Sequence, residues 1–303
     1  MTALAACSND PPKPDGIVVV SNHVPARLVT DATYVYWTDD SGGIWKTPLE
    51  APDTTPISVV DRSFTKEPYA LAIDATSLYW SDVPFDFSND GSINKIDLAG
   101  GTPVTLVPHN GRAPSLAVDD TRVYWTNQQY VLAVSKAGGL IERISVAEQD
   151  AQDIVVDATH AYWTDLGRHA IRSIDLHDPN AIPKTIATVD GPLHITVDMT
   201  SVYFLDFDND LHASLKKIPL AGGTPVTLDT RSSPSGYQSG GLAVDGANAY
   251  WTTKTTVQRV AVDGTGATTL ADHNADVHCM AVGPRDILWC DDEVTPGIRR
   301  TPK

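Results

Sequence analysis

The chain has 303 residues, 42% of them apolar and 20% charged, the make-up of a globular protein with a full core rather than of a disordered one. A net charge of −16 removes the basic surface that nucleic acid or an anionic membrane would need, so neither is an expected partner. No apolar run approaches the roughly 20 residues of a membrane-spanning helix.

Residues 1–16 stand apart from the rest. Leu4-Ala5-Ala6 precedes Cys7, and the run from Ser8 to Gly16 is polar and proline-rich, as a tether is. Small residues before a cysteine resemble the lipobox of bacterial lipoproteins. The resemblance implies lipid on Cys7 and an extracytoplasmic protein, in the bacterial cell envelope or secreted. Such an anchor adds no membrane span. Residues 17–303 are expected to form one domain, a monomer.

Ile17-Val18-Val19-Val20-Ser21 reads as a strand that belongs to no repeat. Beyond it an aromatic pair recurs: Tyr36-Trp37, Tyr79-Trp80, Tyr124-Trp125, Tyr162-Trp163, Tyr203-Phe204, Tyr250-Trp251 and Leu288-Trp289. The intervals are 43, 45, 38, 41, 47 and 38 residues, and among the tryptophans only Trp45 lies outside this position. Repeat two divides into Leu71–Asp74, Leu78–Ser81, Ile93–Leu98 and Thr102–Val107, short runs punctuated by turn formers. Four strands at this spacing are the pattern of a propeller blade. One blade cannot cover both its faces, so Trp37, Trp80, Trp125, Trp163, Phe204, Trp251 and Trp289 are read as packing between blades. Repeat seven stops at Gly297–Lys303, one strand short, and Ile17–Ser21 can supply that strand. The expected fold is therefore all-β: a seven-bladed β-propeller of four-stranded antiparallel blades, closed by the N-terminal strand completing the last blade.

The second strand reads Tyr36-Trp37-Thr38-Asp39, Tyr79-Trp80-Ser81-Asp82, Tyr124-Trp125-Thr126-Asn127 and Tyr162-Trp163-Thr164-Asp165. This resembles the YWTD repeat of the low-density lipoprotein receptor family, over residues 28–291. The run before it, as in Leu116-Ala117-Val118-Asp119, is similar to that family too. The resemblance implies a β-propeller used for extracellular protein binding. Receptor propellers of that family have six blades, and seven repeats are present here. Asp39, Asp82, Asp165, Asp206 and Asp291 close the motif, while Asp31, Asp74, Asp119, Asp157, Asp198 and Asp245 end the first strand. Residues that recur once per repeat are read as structural hydrogen bonders. Function is sought where the repeats differ.

Two acidic loops differ. Asp86, Asn89 and Asp90 in one, and Asp208, Asn209 and Asp210 in the other, offer the oxygens calcium prefers, without the spacing of a calcium loop. Calcium is the one cofactor considered. The starts of the first strands should line the mouth of the central channel. Most repeats carry small residues there, against which Arg27, Tyr69, Gln152, Asp153, His194 and His278 stand out as ligand-binding candidates. His160, His169, His177 and His212 are placed in loops, solvated.

Cys279 and Cys290 flank the turn at Gly283–Asp286. Pairing about that turn sets them opposite each other, with Cα atoms about 4.5–5.5 Å apart, within disulfide range. A disulfide agrees with an oxidising compartment. Zinc is not expected, because two cysteines of one hairpin lack a second ligand pair.

No nucleophile elbow, H-E-x-x-H or phosphate-binding glycine loop is present, and no residue is assigned to catalysis. The favoured function is an exported binding or scaffold module for a protein or small ligand. The alternative is a channel-mouth enzyme of the propeller lyase or lactonase type. A lectin ranks last, since the loops share no repeated aromatic-plus-polar set.

Overall fold

The computed structural model describes residues 16–303 apart from 41, 52–53, 66, 84–90, 110, 209–211, 233–239, 273–275 and 293–295. Its regular structure is all β. Strand β1 is Ile17–Ser21. Blade 1 is β2–β5 (Pro25–Thr30, Tyr34–Asp39, Ile44–Pro48, Ile57–Val60) and blade 2 is β6–β9 (Pro68–Ile73, Ser77–Asp82, Ser92–Asp97, Val104–Val107). Blade 3 is β10–β13 (Leu116–Val118, Arg122–Thr126, Val131–Ser135, Glu142–Arg143) and blade 4 is β14–β17 (Ala151–Val156, His160–Asp165, Ala170–Asp175, Lys184–Thr188). Blade 5 is β18–β21 (Pro192–Val197, Ser201–Phe207, His212–Pro219, Val226–Ser232) and blade 6 is β22–β25 (Leu242–Val244, Asn248–Thr252, Thr256–Ala261, Thr268–Asp272). Blade 7 is β26–β28 (Val277–Val282, Asp286–Asp291, Gly297–Pro302) with β1 as its outer strand.

The ring closes as the sequence implies. β1 pairs antiparallel with β28, Ile17 opposite Arg300 and Ser21 opposite Gly297, and Val19 and Val20 are buried. Thr30 Oγ1 also donates to the Val282 carbonyl, joining blade 1 to blade 7. Among the described residues no helix is long and apolar enough to cross a membrane.

Tyr and Trp of each motif are consecutive on a strand, so their side chains leave opposite faces. The core uses this alternation. Trp80 packs on Tyr36, Ile44 and Val60 of the blade before it, and Trp163 packs on Tyr124, Val131 and Ala133. Trp37 packs on Ala281, Leu288 and Ile298 of blade 7, which carries the pattern across the closure. Each aromatic at the Trp position enters the preceding blade, and each Tyr meets the following one. All seven are fully buried, as packing residues must be.

The recurring Asp residues tie turns. Asp119 accepts from the Thr121 and Arg122 amides at 2.6 and 2.7 Å, and from the Tyr124 hydroxyl at 2.6 Å. The same Tyr-to-Asp bond joins Tyr36 to Asp31, Tyr79 to Asp74, Tyr162 to Asp157, Tyr203 to Asp198 and Tyr250 to Asp245. Blade 7 has Gly283 and Leu288 at these two positions, so both partners are missing together.

Two expectations need correction. His160 and His212 are the first residues of β15 and β20, not loop residues, because those strands begin earlier than their apolar runs. The first strand of repeat two begins at Pro68, three residues before Leu71, and this extension matters for the site.

Candidate functional site at the channel mouth

The extension at Pro68 is a β-bulge. Pro68 pairs with Asp82 and Leu71 with Trp80, so Tyr69 and Ala70 together face Ser81. Gln152 and Asp153 form the matching bulge in β14. His194 is the extra residue in β18, His278 in β26, and Ala26, beside Arg27, in β2. A bulge breaks the strict alternation of a strand and re-aims side chains. Five of the seven innermost strands thus project residues at one end of the channel that regular pairing would turn elsewhere.

The hydroxyl of the YWTD motif holds several of these bulges. Ser81 Oγ accepts from the Ala70 amide at 3.1 Å and donates to the Ala113 carbonyl of the next blade at 2.8 Å. Thr164 Oγ1 accepts from the Asp153 amide; in blade 6, whose β22–β23 pairing has no bulge, Thr252 Oγ1 accepts likewise from the Gly241 amide just before β22. Thr126 Oγ1 donates across to the Gln152 carbonyl. Backbone groups freed by the bulge are thereby satisfied within the fold.

The bulges surround a cavity of about 820 Å³. All six candidates, Arg27, Tyr69, Gln152, Asp153, His194 and His278, line it, together with Arg112, Asp40, Asp276 and Asp292. The Arg27 guanidinium lies over the Tyr69 ring, 4.7 Å from its centroid. It donates to Tyr69 Oη at 3.2 Å and to the Ala26 carbonyl at 2.9 Å. These are its only side-chain hydrogen bonds among the described residues, and a guanidinium has five N–H donors.

Asp153 is differently placed. Its carboxylate accepts from the Ser115 hydroxyl, from the Ile154 amide at 3.0 Å and from the Ile195 amide at 3.1 Å. It braces blades 3, 4 and 5 to one another. Gln152 Nε2 donates to Asp150 at 2.6 Å. His278 Nε2 donates to the Pro25 carbonyl at 2.8 Å, linking blade 7 to blade 1.

His194 has a left-handed backbone, φ 44°. Its ring lies against Gly240, where a Cβ would collide with it. Burial pushes the imidazole pKa down to about 4; Asp153 opposes the shift and Arg27 adds to it. His194 is therefore a neutral donor and acceptor at pH 7. On the rim, burial raises the Asp40 carboxyl, and the charges of Asp39 and Asp292 add to that while His278 opposes it. The mouth has a cationic wall at Arg27 and Arg112 and an acidic rim at Asp40, Asp276 and Asp292.

Cys279 and Cys290 face each other across β26 and β27 at disulfide distance, with Cα atoms 5.1 Å apart. Of the calcium candidates, Asp208 accepts from the His212 amide at 2.9 Å and lies 3.1 Å from its Nδ1. Asp86, Asn89, Asp90, Asn209 and Asp210 lie outside the described residues, as does Cys7 with the whole of 1–15.

The sequence matches no known protein-family model and no curated protein. Solved structures do resemble the fold. The WD40 β-propeller domain of Doa1 superposes with a TM-score of 0.73 at 14% identity, covering 96% of this chain and 97% of that one. Virginiamycin B lyase from Staphylococcus aureus gives a TM-score of 0.70 at 13% identity, over 95% and 98% of the two chains. A chain of the nidogen–laminin complex gives 0.55 at 19% identity, over 70% and 81%. At these identities the likeness is one of fold.

Proposed function

We propose that this chain is an extracytoplasmic binding propeller, held at the cell envelope by lipid on Cys7, whose channel mouth takes a small ligand through an anionic group. One observation carries the reading: a cavity of about 820 Å³ with the Arg27 guanidinium set in its wall. Ligand sites typically run to about 300–1,000 Å³, and this one falls within that range with a largely polar lining. Arg27 is held by Tyr69 before any ligand arrives, so less side-chain freedom is lost on binding. Arg112 adds positive charge, His194 offers a neutral ring, and Asp153 spends its oxygens on the protein. The chain's overall acidity does not prevent this, because local groups set the local potential. The cysteine pair supports the extracytoplasmic address, since disulfides persist in oxidising compartments. The YWTD resemblance, and a structural neighbour taken from the nidogen–laminin complex, support recognition rather than turnover.

A second reading, an enzyme at the same mouth, is favoured by His278 with Asp292 3.7 Å away and by the lyase of the same fold, which a histidine substitution inactivates. The test is a screen of small carboxylates, phosphates and sulfates by ligand-detected NMR. Arg27→Ala should weaken any true ligand by about 10–100-fold, the worth of a hydrogen bond to a charged group. A ligand set indifferent to Arg27→Ala and to His194→Ala sinks the binding reading. Conversion of a ligand by the parent, lost in His278→Ala, would favour the enzyme.

A further inference from the structure

The hairpin that carries Cys279 and Cys290 holds a third donor that strand periodicity hides. His278 precedes Cys279, and in a regular strand the two side chains would leave opposite faces. The bulge between Val277 and Cys279 removes that alternation. The ligating atoms of His278, Cys279 and Cys290 consequently lie within 4.8 Å of one another.

The imidazole is already set as a ligand is. Nε2 donates to the Pro25 carbonyl, which fixes the tautomer and leaves Nδ1 as a bare lone pair. Nδ1 is buried and has no hydrogen-bond partner among the described residues; Asp292 Oδ1, at 3.7 Å, is beyond hydrogen-bond reach. A buried acceptor left without a donor costs stability, and such groups in native proteins mark a missing partner. Metal-bound histidines are typically oriented in this way, the other ring nitrogen donating to a backbone carbonyl.

We propose that reduction converts this disulfide into a zinc site, with Cys279 Sγ, Cys290 Sγ and His278 Nδ1 as ligands and a fourth position open to the channel. Two thiolates and one imidazole form a known donor set for zinc with an open position. Bond lengths of about 2.0–2.3 Å at tetrahedral angles place such donors about 3.5–3.8 Å apart. The three donors start within 4.8 Å of one another with the two sulfurs bonded, so reduction must let the sulfurs part to reach that spacing. His278, Cys279 and Asp292 line the mouth while Cys290 is fully buried behind them, so reductant and metal reach the pair from the Cys279 side. The chemistry balances with a dithiol as reductant. Two of its sulfurs oxidise to a disulfide while the Cys279–Cys290 bond takes up two electrons and two protons. Zinc then binds and the two thiols release those protons. The site does not depend on the anion reading, because it uses neither Arg27 nor His194.

The experiment titrates Co²⁺ into the folded protein, oxidised and after dithiol reduction followed by removal of reductant, then displaces it with Zn²⁺. Near-ultraviolet circular dichroism monitors the fold throughout. The reduced protein should bind one equivalent, with thiolate charge-transfer absorption and the intense visible bands of tetrahedral cobalt. The oxidised protein should show neither. His278→Ala should weaken binding by at least the about 10–100-fold that loss of even an outer partner costs. Cys279→Ala with Cys290→Ala tests whether blade 7 folds without the bond. Absence of the bands in reduced protein that keeps its fold overturns the proposal. Equal affinity in His278→Ala overturns it too, as does loss of the folded signal on reduction.

Discussion

Tyr124 and Asp119 offer a direct test of how the blades are held. Tyr124→Phe keeps the buried ring, which is 1% exposed, and deletes only the hydroxyl that donates to Asp119 at 2.6 Å. A hydrogen bond to a charged group contributes about 1.5–3 kcal/mol. Asp119 keeps three other donors, the two turn amides and the Thr121 hydroxyl at 3.1 Å, so it is not stranded. The expected loss is therefore about 1.5 kcal/mol, the low end of that range. Asp119→Asn preserves an acceptor for the turn amides, and the double variant closes a cycle whose coupling should be about 1 kcal/mol. Urea unfolding at pH 7 measures all four proteins. pH adds a sign. Burial pushes the Asp119 carboxyl up, but the bonds from Tyr124 and the turn amides outweigh it and hold it below its ordinary 3.8. A carboxyl lowered by folding adds stability above its unfolded pKa, and that stability is lost as pH falls through the folded value. The gap between parent and Tyr124→Phe should narrow in acid. Additive single variants, or a gap that widens below pH 3.8, would refute the reasoning.

Three further outcomes are expected. Removing residues 1–21 strips β1 from β28 and uncovers the surface that Val19 and Val20 close, so the thermal transition should fall sharply, whereas removing 1–15 should leave it nearly unchanged; equal transitions would argue against the closure. His194 should stay predominantly neutral by NMR between pH 7 and pH 5, because burial lowers its pKa to about 4. A lowered histidine adds stability above its unfolded pKa of about 6.5, and this is lost as pH falls toward the folded value, so His194→Gln should flatten stability between those limits. Gly240→Ala should displace the His194 ring and shift its NMR signals while the blade cores hold, and unchanged signals would contradict the packing seen.

The architecture was legible because one large residue per repeat fills each wedge. Six aromatic pairs and the matching Leu288-Trp289 spell out blade number, and a leftover strand at one end with a missing one at the other spells out closure. The Tyr-to-Asp bonds were also open to reading. The two residues keep a fixed five-residue spacing in six repeats and are lost together at Gly283 and Leu288. The mouth was half legible. Polar exceptions such as Arg27 and His194 show as breaks in the repeat, but their roles depend on register, which a bulge shifts without a local signature. Asp153, a ligand-binding candidate by sequence, lines the mouth and also braces the ring, which sequence does not show because its partners Ser115 and Ile195 come from neighbouring blades. His278 looked like a channel residue alone, since alternation places it away from Cys279.

The most direct test of the central claim is a crystal structure of the parent protein soaked with the tightest anionic ligand from the screen. Density for its anionic group within hydrogen-bond distance of the Arg27 guanidinium, inside the cavity shared by Tyr69 and His194, is the predicted result. A ligand seated on an outer blade face, with the mouth holding none, would contradict it.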